Sequence, residues 1–163
     1  MTRKLLNNCP ETDSSSTTAK YENFLHEAIS YYEKLIQSLE KFYDFNFRYY
    51  ATEGARHAQN RRVKICLYLC QVFYLHMGDL ARYIDQIKKN EKGSPMGKTR
   101  SGKYARDYYQ TAKDLDPRHG KPHFNLGILA SEQQRHFEAI IHFIRAASVD
   151  KGKLILSLLV LCL

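Results

Sequence analysis

The chain has 163 residues, of which 44% are apolar, so it is long enough to bury one hydrophobic core. Its formal net charge of +8 favours acidic partners, namely phosphorylated peptide, nucleic acid or an anionic membrane surface, without choosing among them. The four cysteines show no spacing typical of a secreted disulfide framework, so we expect a cytoplasmic protein that shuttles to the nucleus. The longest apolar segment, 154–163, has about half the length of a membrane-spanning helix, so we expect no membrane partner.

The first predicted element is a disordered arm over residues 1–20. Its second half is a run of Ser, Thr and other polar residues, which buries too little apolar surface to offset the entropy lost on ordering. From Tyr21 to about Tyr43, apolar residues recur every three or four positions, which predicts an amphipathic helix of about six turns.

Two further segments follow before the repeat begins. Residues 44–60 lose the helical period and contain Gly54, so we predict a loop. Helical spacing resumes at Arg61 and continues to about Gln86, with Gly78 inside it. Glycine inside a helix costs about 1 kcal/mol relative to alanine, so its presence indicates close packing against another helix.

Residues 87–103 break the period again and carry a strong positive charge. Four of them are glycine or proline, six are basic and one is acidic, so most of the chain's net charge lies in one predicted loop. A solvated insertion is the simpler interpretation, and contact with nucleic acid or an acidic partner is the alternative. The candidate nucleic-acid contacts are Lys88, Lys89, Lys92, Lys98, Arg100 and Lys103.

A repeat of 34 residues governs the rest of the chain. Ala105 and Ala139, Tyr109 and Phe143, and Ala112 and Ala146 are each separated by that distance, which is the period of tetratricopeptide helix hairpins. Gly78 and Gly127 are predicted to fill the small-residue position in the first helix of each hairpin, and Pro117 to end the first unit. We therefore predict an all-α fold of antiparallel helix hairpins, in which the basic loop is an insertion into the first.

The hairpin frame also places a candidate binding site. On the helix from Arg61 to Gln86, Asp79, Arg82, Tyr83 and Gln86 lie opposite the apolar stripe, where a concave repeat surface would hold a ligand. The planar guanidinium of Arg82 suits phosphate oxygens, and the phenol of Tyr83 can donate a further hydrogen bond. The alternative is that Arg82 pairs with Asp79, one turn away. Lys121 and Phe124 fall at groove positions of the second hairpin, although helix packing is the simpler role for Phe124.

Two segments carry a family resemblance. LHMGDLARY (75–83) and YARDYYQTAKDLDPRHGKPHFNLGILAS (104–131) resemble the 14-3-3-like tetratricopeptide domain of the Smg and Est family of nonsense-mediated mRNA decay and telomerase-associated factors. The resemblance covers roughly residues 21–149. It implies a phosphoserine-binding adaptor that recruits decay or dephosphorylation factors to a phosphorylated Upf-type RNA helicase, with Arg82 and Tyr83 in its phosphate pocket.

The same resemblance implies several further expectations. The family's second phosphate-binding basic residue lies on an earlier helix, and neither Arg3 nor Lys4 matches it, so we expect a domain truncated at both ends. Residues 151–163 are either a helix that closes the second repeat or an unrelated chain end. A related family member is a candidate partner for a heterodimer, and RNA or telomeric DNA and an unphosphorylated peptide are the alternative ligands.

Neither an enzyme nor a cofactor is expected. The sequence contains no phosphate-cradling glycine-rich loop, no HExxH motif, and no serine or cysteine nucleophile motif. His119 and His123 are four residues apart, but no cysteine or acidic cluster accompanies them, so we predict no metal site.

Overall fold

The computed structural model describes residues 11–92 and 102–149, and every regular element in these ranges is helical. The helices are α1 (Glu11–Tyr43), α2 (Phe47–Glu53), α3 (Arg61–Lys92), α4 (Lys103–Leu115), α5 (Gly120–Glu132) and α6 (His136–Val149), with a short 3-10 turn at Ala55–His57. The all-α prediction is confirmed. Within the same ranges, no helix combines the length and apolarity needed to cross a membrane.

Helix α1 packs against α3 and begins ten residues earlier than its apolar period predicts. The prediction of a disordered arm is therefore wrong for residues 11–20, which form the first turns of α1, while residues 1–10 lie outside the described ranges. Period analysis misses these turns because they are polar and add nothing to the apolar stripe. The core between α1 and α3 contains Leu25, Ile36, Leu67, Cys70 and Met77, all at most 5% exposed.

The segment 44–60 was predicted to be a loop, but it contains the short helix α2. Its start is capped by Asn46, whose side-chain oxygen accepts the Tyr49 N–H at 3.2 Å. Phe47 is buried and stacks on Tyr74 of α3, with ring centroids 5.1 Å apart and planes 10° apart. A helix of seven residues is too short to show a period, and a tertiary contact of this kind stabilises it instead.

Helix α3 continues six residues past the predicted boundary, to Lys92. Residues 87–92 contain lysine and glutamate but no glycine or proline, so their propensity favours continuation of the helix. The prediction that Lys88, Lys89 and Lys92 belong to a loop is therefore wrong. The remaining part of the predicted loop, residues 93–101, lies outside the described ranges.

The predicted hairpins are present as α3 with α4 and α5 with α6. A Cβ added to Gly78 would lie 2.3 Å from Cε1 of Tyr109, and one added to Gly127 would lie 2.6 Å from Cε1 of Phe143. In both hairpins a glycine of the first helix therefore accommodates the aromatic ring of the second. Four alanines at the predicted small positions, Ala105, Ala112, Ala139 and Ala146, are buried.

Hydrogen bonds at both ends of α4 fix this helix against α3. Helix α4 ends at Leu115, and Asp116 is extended (φ −141°, ψ 95°) because the following Pro117 disfavours helical geometry there. The buried side chain of Gln71 on α3 donates to the carbonyl of Ala112 at 2.9 Å. At the start of α4, the N–H of Gly102 donates to Asp85 of α3 at 2.6 Å. Both ends of α4 are thus fixed to α3.

Candidate functional site

Arg82 lies on the side of α3 that faces α5. Its Nη1 donates to Oε1 of Glu132 at 3.1 Å, and 21% of the Arg82 side chain is exposed. Burial disfavours the charged guanidinium, but interactions with Tyr109 and Glu132 outweigh that effect and raise the pKa of Arg82 above its ordinary value. The alternative prediction, a pair between Arg82 and Asp79, is wrong because the ion pair of Arg82 is with Glu132.

Asp79 joins three helices beside Arg82. It accepts the Tyr109 hydroxyl of α4 at 2.6 Å and the Asn125 side-chain amide of α5 at 3.3 Å. Burial, followed by the hydrogen bond to Asp79, raises the pKa of Tyr109 above its ordinary range, so this phenol stays protonated as a donor. Both bonds reach Oδ1 of Asp79, which was predicted as a groove contact, and they point to a positioning role for this residue.

The other predicted groove residues differ in their surroundings. Tyr83 is 43% exposed, and the guanidinium carbon of Arg82 lies 5.4 Å from the centre of its ring, so the two side chains form one patch. Lys121 is exposed on α5, and Gln86 is partly exposed on α3. Phe124 packs against Phe143 with ring centroids 5.7 Å apart, which is the packing role that the sequence favoured.

Glu132 and Asn125 are the site residues that sequence reasoning missed. Glu132 is 50 positions from Arg82, near the end of α5, and it meets Arg82 only because the two hairpins stack. Spacing within one helix carries no information about such a contact. The 34-residue repeat relates equivalent positions, but it does not specify which side chains pair between neighbouring repeats.

Three of the predicted nucleic-acid contacts, Lys88, Lys89 and Lys103, have exposed side chains in the described part of the chain. Lys88 pairs with Glu22 of α1 at 2.9 Å, and this bond lowers the pKa of the Glu22 carboxyl. Lys103 is exposed at the start of α4. Lys98 and Arg100 lie outside the described ranges, so their part in the prediction is untested.

A pair of histidines lies between α5 and α6. Nδ1 of His123 is 3.4 Å from Nδ1 of His142, and only 5% of His123 is exposed. Burial lowers the pKa of both rings, and nearby positive charges, including Lys113 and Arg145, lower it further. In the parts of the chain that the structure describes, no group of three or more His, Cys, Asp or Glu side chains could hold a metal ion.

These two histidines are expected to make the folded protein less stable in acid. Since the pKa of each ring is lower in the folded protein than the ordinary value of 6.5, the unfolded chain binds more protons below about pH 6.5. The free energy of unfolding should therefore fall as the pH drops from 7 to 5. Urea unfolding at several pH values measures this, and His142→Gln should flatten the decline, while the exposed His136→Gln should leave its slope unchanged.

Two protein families match this chain, one over residues 3–88 and the other over residues 105–153. The family described as telomerase activating protein Est1 matches residues 3–88, more than half of the chain. The chain belongs to the Est1 family. A second family, described as the Est1 DNA/RNA binding domain, matches residues 105–153. Helix α3 therefore lies almost entirely in the first match, and the three helices that follow it, α4, α5 and α6, lie in the second apart from the first two residues of α4.

Individual relatives of this Est1-family chain come from fish and plants. The nonsense-mediated mRNA decay factor SMG7 of Danio rerio is 33% identical over 84 residues, which are 52% of this chain and 6% of the relative. The telomerase-binding protein EST1A of Danio rerio is 27% identical over 128 residues, 77% of this chain and 8% of the relative. An SMG7-like decay factor of Arabidopsis thaliana is 28% identical over 139 residues, 85% of this chain and 14% of the relative.

These relatives confirm the predicted Smg and Est resemblance and set its extent. The chain spans less than one sixth of the length of each of these three curated relatives. Arg82 lies within the part matched to the telomerase activating family, whereas its partner Glu132 lies within the part matched to the DNA/RNA binding family. The candidate site is therefore formed where the two matched regions meet.

Proposed function

We propose that this Est1-family chain is a phosphoserine-peptide-binding adaptor of nonsense-mediated mRNA decay, which recruits decay or dephosphorylation factors to a phosphorylated Upf-type helicase. One observation carries the proposal, namely an arginine held between two repeats with an exposed tyrosine beside it. The guanidinium of Arg82 contacts a single carboxylate oxygen at 3.1 Å and keeps one fifth of its side chain accessible. The decay-factor names of the relatives support the biological setting.

The chemistry of Arg82 favours exchange of Glu132 for a phosphate. A phosphoserine carries a charge of about −1.5 to −2 and three acceptor oxygens, whereas Glu132 carries one negative charge. Because guanidinium binds phosphate through two parallel hydrogen bonds, the incoming phosphate gains more from Arg82 than a single contact provides. Asp79 meanwhile stays bonded to Tyr109 and Asn125, so the surrounding helices need not move.

A peptide titration tests this proposal. A peptide with one phosphoserine and its unphosphorylated twin are titrated against the wild-type chain, Arg82→Gln and Arg118→Gln by calorimetry. Loss of the charged hydrogen bond should weaken phosphopeptide binding about 10- to 100-fold in Arg82→Gln. The control removes one arginine whose side chain is 82% exposed and bonded to Asp116, and it should bind like the wild type. Equal affinity for the two peptides contradicts the proposal.

Nucleic-acid binding is the second candidate function, because the DNA/RNA binding family matches residues 105–153. The described charges rank it below the first. Residues 105–149 contain six basic and five acidic residues, so this region has almost no net charge. Ion pairs also involve basic residues throughout it, namely Arg106, Lys113, Arg118 and Arg135. Neither the balance of charges nor these pairs favours a basic stripe of the kind that binds phosphate backbones in residues 105–149.

Salt dependence separates the two candidates. Single-stranded RNA is titrated at several salt concentrations against the wild-type chain and against a variant with Lys98, Arg100 and Lys103 changed to glutamine. A steep loss of affinity with salt, which disappears in the variant, favours nucleic-acid binding. Binding that depends on peptide phosphorylation and on Arg82 favours the adaptor.

A further inference from the structure

Helix α1 carries a second apolar stripe beside the one that packs against α3. Seven positions from Tyr21 to Phe42 follow one another at alternating spacings of three and four residues, and only Ser38 among them is polar. The apolar members of this α1 seam are Tyr21, Phe24, Ala28, Tyr31, Leu35 and Phe42. Its four aromatic side chains are between 49% and 80% exposed. An apolar period of 3.5 residues over three heptads is typical of a helix that pairs with another helix.

The contacts of α1 with the rest of the molecule are made from a different side. Leu25 is buried, Glu22 pairs with Lys88 of α3 at 2.9 Å, and Glu33 accepts the Tyr108 hydroxyl of α4 at 3.4 Å. None of the three α1 residues belongs to the seam. Helix α1 is therefore held by one side and leaves the seam available to a partner.

Two opposite charges border the seam. A groove of about 590 Å³ is lined by Phe24, Ala28 and Tyr31 together with Glu27 and Lys34. The last two side chains are exposed, and neither forms an ion pair with another described residue. They are one heptad apart, about 10.5 Å along the helix, which is too far for them to pair with each other. A partner with the same two charges in reverse order would pair both.

A second copy of α1 that runs in the opposite direction has this order. About a twofold axis, Glu27 of each copy lies beside Lys34 of the other, so one contact is repeated twice. A parallel pair would instead place these charges beside Tyr32 and Leu39 of the second copy, which already pack against the core of their own chain. Charge complementarity therefore favours the antiparallel arrangement.

The apolar layers of the same register fit in size. Ala28 of each copy lies against Tyr31 of the other, so the smallest side chain of the seam meets a large ring. The neighbouring layer pairs Phe24 with Leu35. At the two ends of the paired region Lys20 lies near Lys41 of the second copy, and this repulsion limits the affinity.

We propose that this chain forms a homodimer in which the α1 seams of two copies pack antiparallel, held in register by two ion pairs between Glu27 and Lys34. The interface is isologous, so it closes at two copies and forms no longer assembly. The seam contains neither Arg82 nor Glu132, and the dimer does not depend on phosphopeptide binding.

Sedimentation equilibrium of the full chain tests the dimer. The wild type should approach twice the monomer mass of 19.1 kDa as its concentration rises, whereas Tyr31→Glu and Phe24→Glu should stay monomeric. Both side chains are more than 60% exposed, so each variant should keep the helical circular dichroism of the wild type. A wild type that stays monomeric, as it would if another segment or another protein covered the seam, overturns the proposal. Variants that still form dimers also overturn it.

Charge reversal tests the register. Glu27→Lys and Lys34→Glu each turn two attractive contacts into two repulsive ones and should weaken the dimer about 10-fold. The double variant restores both pairs and should recover the wild-type affinity. The control Lys64→Glu makes the same change beside the exposed Ile65 of α3 and should leave the affinity unchanged. A double variant as weak as the single ones, or an equal loss in Lys64→Glu, contradicts antiparallel pairing of α1.

Discussion

Replacing Gly78 with alanine is expected to lower the free energy of unfolding by about 2 to 3 kcal/mol, although alanine is the better helix former. The added Cβ would lie 2.3 Å from Cε1 of Tyr109, closer than any real contact. The Tyr109 ring is fully buried and its hydroxyl is held by Asp79 at 2.6 Å, so it cannot slide away without losing that bond. Urea unfolding followed by circular dichroism measures the change.

Two further variants identify the cause of this loss. Tyr109→Leu in the Gly78→Ala background should remove the clash, so the alanine should cost less there than in the wild type. Gly127→Ala should be milder than Gly78→Ala, because the Phe143 ring that it meets is only partly buried and can shift. If Gly78→Ala leaves the free energy of unfolding unchanged or raises it, the close contact between Gly78 of α3 and Tyr109 of α4 is contradicted.

Replacing Glu132 with glutamine is expected to strengthen phosphopeptide binding about three- to five-fold. This substitution removes the negative charge that pairs with Arg82 at 3.1 Å, so a phosphate no longer has to displace it. A partly exposed ion pair of this kind contributes up to about 1 kcal/mol, which sets the size of the gain. Calorimetric titration with a phosphoserine peptide gives both affinities under identical conditions.

The matched control for this prediction is Glu53→Gln, which removes one negative charge from an exposed position at the end of α2. A general reduction of negative charge would strengthen binding equally in both variants. A local effect at Arg82 should appear in Glu132→Gln alone. Weaker binding in Glu132→Gln would show that Glu132 supports the pocket instead of competing for it.

The hairpins could be predicted from sequence because their defining contact recurs. The repeat placed glycine opposite an aromatic ring in both units, and the structure shows Gly78 against Tyr109 and Gly127 against Phe143. Helix propensity and the apolar period did not predict the helix whose formation depends on tertiary contacts. Helix α2 depends on Phe47 stacking against Tyr74, and no pattern within seven residues reports that contact.

The candidate site was predictable only in part. The side of α3 that carries Arg82 and Tyr83 followed from helical spacing, because residues three and four apart share a face. The partner of Arg82 did not follow, since Glu132 reaches it from another repeat. His142 was missed for the same reason, because its contact with His123 depends on how α5 and α6 pack.

Competition between Glu132 and a phosphate for Arg82 is tested most directly by a double-mutant cycle. Phosphoserine-peptide affinity is measured by calorimetry for the wild type, Arg82→Gln, Glu132→Gln and the double variant. The gain from Glu132→Gln should vanish when Arg82 is absent, and both proteins that lack Arg82 should bind the phosphorylated and unphosphorylated peptides equally. A gain from Glu132→Gln that persists without Arg82, or a preference for phosphate that survives its removal, would contradict a phosphate site at Arg82.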